Sequence, residues 1–342
     1  DDFSTSDPVL MGMLYVNVIK GGETYSFEYN DQWLKKTGLM LMLDPELMPY
    51  SGRQYPVGKK IFGLFSDASP DRWGRVLMNK RERILAEREG RKPSKLHDSD
   101  YLLGVYDETR MGGIRFKKDP DGPFLSDDKE TAAPPLRTLE EASRNFEKDE
   151  TGLPERWLNQ LIRPGSSLGG ARPKATVADT GDQLWIAKFP SKNDENDTGA
   201  WEMVVHELAV LCDLNVPEAR LEKFSSLGST FLVKRFDRMG RRRVHFASAM
   251  TLLGKTDGAS AADGTSYLDI AAFIKAYGAQ PKKDLEELWK RIVFNMAVTN
   301  TDDHMRNHAF ILTSRGWKLS PLYDVNPVPY GDELSLNVDE ED

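Results

Sequence analysis

The 342-residue sequence has a single cysteine, Cys212, so no disulfide closes within it and no cysteine-built metal site is available. Cys212 ends the helical run WEMVVHELAVLC, where a small buried apolar side chain is expected. Long apolar runs are scarce too. The longest, such as LMGMLYVNVI, stop short of the ~20 residues that a membrane-spanning helix needs. Nor is there a basic excess: a net charge of -8 and a pI near 5.4 exclude a surface that coats nucleic acid as a whole. The opening DDFSTSDPVL is acidic where a secretory leader is basic. Internal repeats and low-complexity tracts are missing. A cytoplasmic globular protein without a membrane span is the expectation.

The chain does have enough apolar material, 39% with 10% aromatic, to pack a core throughout. Its length exceeds one comfortable core, which predicts two domains or a two-lobed one. In residues 1–118, MLYVNVIKGGETYSFEYN alternates like a hairpin about a Gly-Gly turn. SDASPDRWGRVLMNKRERILAEREG follows as a helix with Ser69 as N-cap, Pro70 at its first position, Asp71 behind it and Gly90 as its stop. YLLGVYDETRMGGIRF then reads as strand. Residues 119–137, rich in Pro, Asp and Lys, read as a linker. From Thr138, TLEE has the form of a capping box with Glu141, and the strands KATVAD and LWIAKF flank a TGDQ turn. Beyond Arg238 the pattern turns mainly helical, and the chain stops on LSLNVDEED without a closing helix, as a longer protein cut short would.

Three places hold residues suited to chemistry. In SSLGGARPK, residues 166–174, small residues let backbone N–H groups approach phosphate oxygens and a lysine adds charge. The loop lacks both common glycine-rich phosphate spacings, so a plain flexible turn stays open. Lys188 lies among apolar neighbours in LWIAKFP. A strand lysine ordinarily points to solvent, but Glu202 on the next helix is placed to pair with it, the arrangement kinases use to orient nucleotide phosphates. The third place is VTNTDDHMRNHAFIL, after a helix whose Leu285, Leu288, Trp289, Ile292, Val293 and Met296 share one face. Four residues separate Asp302 from Asn307, the spacing with which kinases present a proton acceptor and a metal-binding amide. A hairpin turning at Gly316 leads on to Asp324, a further hard oxygen donor suited to Mg²⁺. Two alternatives stay open here: a structural turn, and a zinc site of Asp302 or Asp303 with His304 and His308, which requires a helical geometry.

Taken in series, SDASPDRWGR, GVYDETRMGGIRF, SSLGGARPKA, LWIAKFP, WEMVVHELAVLCDLNVPEA, FLVKRFDR, NTDDHMRNHAF and LSPLYDVNP resemble the HipA-like serine/threonine kinases, the toxin halves of bacterial type II toxin–antitoxin modules. The resemblance covers nearly the whole chain. It implies an α+β, two-lobed protein-kinase-like fold: an N-terminal mixed α/β subdomain (1–118), a linker (119–137), a nucleotide lobe (138–238) and a mainly helical C-terminal lobe (239–342). It further implies ATP and Mg²⁺ as cofactors, Lys188 on the ATP phosphates, Glu202 supporting it, and Asp302 as catalytic base. Asn307 and Asp324 would be the Mg²⁺ ligands, His304 a phosphate-side or packing contact, and Lys234 to Phe236 the hinge whose backbone meets adenine. Ser167, Gly169, Gly170 and Lys174 would belong to the phosphate-binding loop, with Ser167, or as second choice Ser166, autophosphorylated. The nearly two negative charges of a phosphoserine would crowd the site meant for ATP phosphates. Arg172 and Pro173 stand where some members have Gln-Glu.

The implied substrate is a serine or threonine of a host protein, in the translation machinery, such as an aminoacyl-tRNA synthetase. The implied partner is a helix-turn-helix antitoxin, HipB-like, through which operator DNA is met. The basic stretch RMGRRRVHF, residues 238–246, offers a local DNA patch or a solvated hairpin. A catalytically silent nucleotide-binding corepressor and a metal-dependent hydrolase remain competing readings.

Overall fold

A computed structural model describes residues 7–19, 22–36, 42–70, 72–126, 134–148, 158, 161, 162, 165, 172–240 and 242–339. They form two compact units, Ala68–Met203 with Glu218–Gly240, and Asp1–Asp67 with Val204–Pro217 and Arg241–Asp342. The segments read from sequence are stretches of chain; each unit gathers parts of several.

The first unit is built on a four-stranded antiparallel sheet in the order Lys174–Ala178, Leu184–Lys188, Thr230–Lys234, Ala219–Glu222. Residues directly opposite across an antiparallel pair share a face, so the register separates two sets of side chains. Ala175, Val177, Trp185, Ala187 and Leu232 occupy one face and pack with Trp73, Leu77, Leu139 and Ala142 from the helices Arg72–Arg88 and Leu136–Lys148. Lys174, Thr176, Lys188, Phe231 and Val233 occupy the other. The indole of Trp73 also donates to the carbonyl of Lys174 at 2.9 Å, tying helix to strand.

Two expectations in this unit give way. YLLGVYDETRMGGIRF is a helix, Asp98–Gly104, followed by an irregular segment. The reason is the fully buried Arg110, whose guanidinium donates to the carbonyls of Ala68, Leu102 and Val105 at 3.0, 2.7 and 2.9 Å, satisfying groups that a strand would pair with a neighbour. The helix read from Thr138 begins at Leu136, which puts Thr138 inside its first turn and not at the cap.

The second unit pairs Gly12–Ile19 with Gly22–Tyr29, the expected hairpin, and adds Arg53–Gln54; the turn residues Lys20 and Gly21 lie outside the described residues. Its other sheet orders Phe246–Ser248, Ala309–Thr313 and Gly316–Leu319, beside the helices Tyr267–Tyr277 and Pro281–Ala297. Among the described residues of segment 239–342, the helices Tyr267–Tyr277 and Pro281–Ala297 are its longest elements, and these short strands accompany them. Val205, Ala209, Leu214, Phe294, Leu322 and Val325 form one of its cores.

The apolar face assigned to 285–296 is also corrected. Trp289, Val293 and Met296 are exposed, whereas Asp284, Leu288, Arg291, Phe294 and Asn295 are buried. Buried polar groups with remote partners, described below, turn the helix away from its most apolar side. Cys212, expected inside, is exposed, on the side of the chain where Leu208 and Leu211 are exposed too. The basic stretch loses much of its reach, since the side chain of Arg238 and the residue Arg243 are nearly withdrawn from solvent. Among the described residues no helix is long and apolar enough to cross a membrane.

Candidate functional site

In the sheet unit, alternation carries Lys188 to the face opposite the apolar core, yet the side chain stays buried. Its ammonium pairs with the buried carboxylate of Glu202 and lies 6.0 Å from the centre of the Phe231 ring. Glu202 is held by the start of its helix, Thr198–Leu211. Asp197 accepts from the Ala200 N–H at 3.1 Å and from the Ser229 N–H and hydroxyl, both at 2.8 Å. This is an N-cap that also fastens the helix to the strand beginning at Thr230. Burial opposes ionisation of Asp197, but the hydrogen bonds from Ser229 and Ala200 and the charge of Lys223 outweigh it and hold the carboxyl below its ordinary range. The approach is so close that a side chain on Gly199 would overlap the Ser229 carbonyl.

Lys174 stands directly across from Lys188, on the same face and also buried. Two like charges in that relation repel by a few tenths of a kcal/mol to ~1 kcal/mol. At the entrance to this strand, Arg172 grips Asp194 through two hydrogen bonds of 2.8 and 2.6 Å and donates to the Phe189 carbonyl at 3.0 Å. Ser166, Ser167, Gly169 and Gly170 lie outside the described residues. Lys234 belongs to the other face, its ammonium 6.0 Å from the centre of the Trp185 ring. Its backbone N–H is taken by the Glu218 carbonyl at 2.8 Å, and that of Arg235 by Leu184 at 2.8 Å. Phe236 follows, half-buried, just past the strand end.

In the second unit, Asp302 and Asp303 part company. Asp302 is exposed; Asp303 is buried. One oxygen of Asp303 accepts from the Tyr267 hydroxyl at 2.6 Å, from the Asn295 amide at 2.8 Å and from His308 Nε2 at 2.8 Å. Burial alone would raise its pKa, but the His308 charge and the hydrogen bonds from His308 and Tyr267 hold the carboxyl below the usual range. Above this anchor, the Asn307 N–H donates to the His304 carbonyl at 2.8 Å and its side-chain amide to the Asp302 carbonyl at 3.0 Å. With the amide nitrogen so engaged, the oxygen of Asn307 is left to accept or coordinate. Tyr323 donates to the Arg306 carbonyl at 2.5 Å, and Asp324 beside it adopts φ 57°. His304 is half-buried within the same turn.

The donor set suits Mg²⁺: an amide oxygen and a carboxylate are hard ligands whose remaining positions water and phosphate oxygens can fill. It does not suit zinc. His308 is fully buried with Nε2 committed to Asp303, and among the described residues no three His, Cys, Asp or Glu side chains are grouped to hold a metal. The Asp303 network escaped the sequence reading. The only signal was the doubled aspartate after an apolar helix, and nothing there points to Tyr267, 36 residues earlier.

Residues 166–342 match the family model of the HipA-like C-terminal domain. Two curated proteins, both named as kinases by inference, are similar. Y4mE of Sinorhizobium fredii is 31% identical over 157 residues, covering 43% of this chain and 35% of that protein. A protein of Haemophilus influenzae is 31% identical over 129 residues, 34% of this chain and 38% of its own length. The matches thus span little more than a third of either relative. A chain of the Shewanella oneidensis MR-1 complex of HipA, HipB and operator DNA superposes with a TM-score of 0.60 at 19% identity, over 96% of this chain and 78% of that one. That likeness is one of fold.

Proposed function

This chain belongs to the HipA family through its HipA-like C-terminal domain, and on that premise we propose that it is an ATP-dependent serine/threonine protein kinase of the toxin–antitoxin kind. The observation that carries the reading is the buried Lys188–Glu202 pair with Lys174 directly opposite. Burying charged groups costs desolvation, and a polyphosphate chain is a ligand that two lysines on one sheet face would favour. Lys188 and Lys174 bind phosphate oxygens, and Glu202 orients Lys188. The exposed carboxylate of Asp302 accepts the proton of the attacking serine or threonine hydroxyl as that oxygen bonds to the γ-phosphorus and ADP departs. Asn307 and Asp324 would hold Mg²⁺, which when bound offsets charge on the phosphate oxygens. His304 lies on the same turn as a phosphate-side contact.

Within this reading the protein substrate is a host protein of the translation machinery, the autophosphorylated residue is Ser167 or else Ser166, and the partner is a helix-turn-helix antitoxin of the HipB type that carries operator DNA. The toxin–antitoxin assignment rests on the family and on the partner present in the Shewanella complex.

Intact-mass and peptide mass spectrometry after incubation with ATP and Mg²⁺, on verified unphosphorylated protein, tests the central claim. One added phosphate on Ser167 or Ser166 is expected, and Asp302→Asn should slow its appearance by ~10²–10⁴-fold. Equal phosphate gain in both proteins would remove Asp302 from its role. No gain in either, with nucleotide binding intact, would favour the silent corepressor.

A further inference from the structure

The charged residues around Phe236 turn inward. The side chains of Arg235 and Asp237 are 0% exposed and that of Arg238 is 7% exposed. Arg235 donates to the Asp237 carboxylate at 2.9 and 2.7 Å, and Arg238 to the same group at 2.6 Å. Most of their other donors leave the cluster for one stretch of backbone. Arg235 reaches the carbonyls of Thr109 and Arg110 at 2.6 and 3.2 Å, and the Thr176 hydroxyl at 3.3 Å. Arg238 reaches the carbonyls of Glu108 and Arg110 at 3.1 and 2.7 Å, while the Gly112 N–H donates to Asp237 at 2.8 Å. Gly112 has φ 69°, a conformation that favours glycine. From the opposite side the buried Arg110 binds this same stretch to Ala68, Leu102 and Val105.

Two buried arginines and an aspartate are a poor way to gain stability, since apolar replacements of such clusters are often as stable or more so. What the cluster supplies is a fixed geometry. The strand ends at Lys234, and the last ladder bonds are those of the Lys234 and Arg235 N–H groups. Phe236 follows, flanked on both sides by clamped residues. Burial would raise the Asp237 pKa, but the charges of Arg235 and Arg238 keep the carboxyl well below the usual range, so the anion persists at neutral pH.

We infer that the Arg235–Asp237–Arg238 cluster and the backbone of residues 108–112 together form a positioning device that presents the main chain at Phe236 to the nucleotide base. The inference rests on the kinase reading of Lys234 to Phe236 as the base-binding stretch. It makes base affinity depend on a segment outside the matched residues 166–342. It leaves phosphate affinity, which belongs to Lys174 and Lys188, untouched.

The test uses the full chain, with ADP as a base-containing probe and tripolyphosphate as a base-free one, both with Mg²⁺, titrated by calorimetry. Asp237→Asn and the milder Arg238→Gln should weaken ADP by about tenfold while tripolyphosphate stays within about twofold of the wild type. Arg238→Gln carries the test should Asp237→Asn fail to fold. Equal losses for both probes would mark the cluster as merely structural, and no loss for either would remove it from nucleotide binding; both outcomes overturn the inference. Wild-type protein that binds neither probe would instead bring down the kinase reading itself.

Discussion

His245 lies in the interior at 9% exposure, and among the described residues neither ring nitrogen has a hydrogen-bond partner. Its ring faces Trp317 at 5.7 Å between centroids. Loss of solvation pushes its pKa down from 6.5 to about 3. Between those values the unfolded chain binds a proton that the folded chain does not, so stability falls as pH drops below about 6.5 and stops falling near 3. Moving from pH 7.5 to 5 should therefore cost about 2 kcal/mol through this residue alone. His245→Phe removes both the titration and the unpaired ring nitrogens. Urea unfolding should show the variant about 1 kcal/mol more stable at pH 7.5, with a clearly smaller loss at pH 5; parallel losses in the two proteins would refute the assignment. The same scale shows where spacing informs and where it does not. Counting back from Asn307 selects Asp302, which the fold exposes. No spacing distinguishes its neighbour Asp303, because the groups that bury Asp303 come from Tyr267, Asn295 and His308.

At the scale of elements, period was legible and orientation less so. Alternation in KATVAD and LWIAKF specified two strands and their shared faces, and the structure pairs them as Lys174–Ala178 with Leu184–Lys188. The helix Pro281–Ala297 was equally visible, but its buried side was misread. Arg291 donates to the Ser320 carbonyl at 2.7 Å, Asp284 accepts from the Leu319 N–H at 3.1 Å, and Asn295 reaches Asp303. These partners come from later in the chain, and they outweigh the exposure of Trp289, Val293 and Met296. A helix can thus be set by polar anchors, and the helix Thr198–Leu211 is a case with consequences for the site. Its Gly199 abuts the Ser229 carbonyl, and Glu202 follows within the first turns. Gly199→Ala should push the helix off the strand, costing ~1–3 kcal/mol and loosening Glu202 from Lys188. Thermal denaturation with ATP titration checks this. Lower stability accompanied by weaker ATP binding is expected, and unchanged ATP affinity would show that the helix start does not set the pair.

At the scale of the molecule, a net charge of -8 predicts weak attraction for a polyanion, yet the sheet unit presents two buried lysines on one face. Local field outranks net charge when the charges are desolvated, and buried charges are screened less by salt than exposed ones. A ligand that binds only the folded chain raises its stability by about 2.7 kcal/mol at 100-fold excess over Kd. A non-hydrolysable ATP analogue with Mg²⁺ should accordingly raise the melting temperature of the wild type and of Asp302→Asn alike if, as proposed, the exposed Asp302 carboxylate serves proton transfer and not binding. Lys188→Met should lose most of that rise. Asn307→Ala and Asp324→Ala should retain the rise seen with nucleotide in EDTA but lose the increment that Mg²⁺ adds, if they are the metal ligands proposed above. Differential scanning fluorimetry of the five proteins, with and without Mg²⁺, separates these outcomes. A full rise in Lys188→Met would place nucleotide binding away from the lysine-bearing sheet face, and an intact Mg²⁺ increment in both metal-ligand variants would remove Asn307 and Asp324 from the metal site.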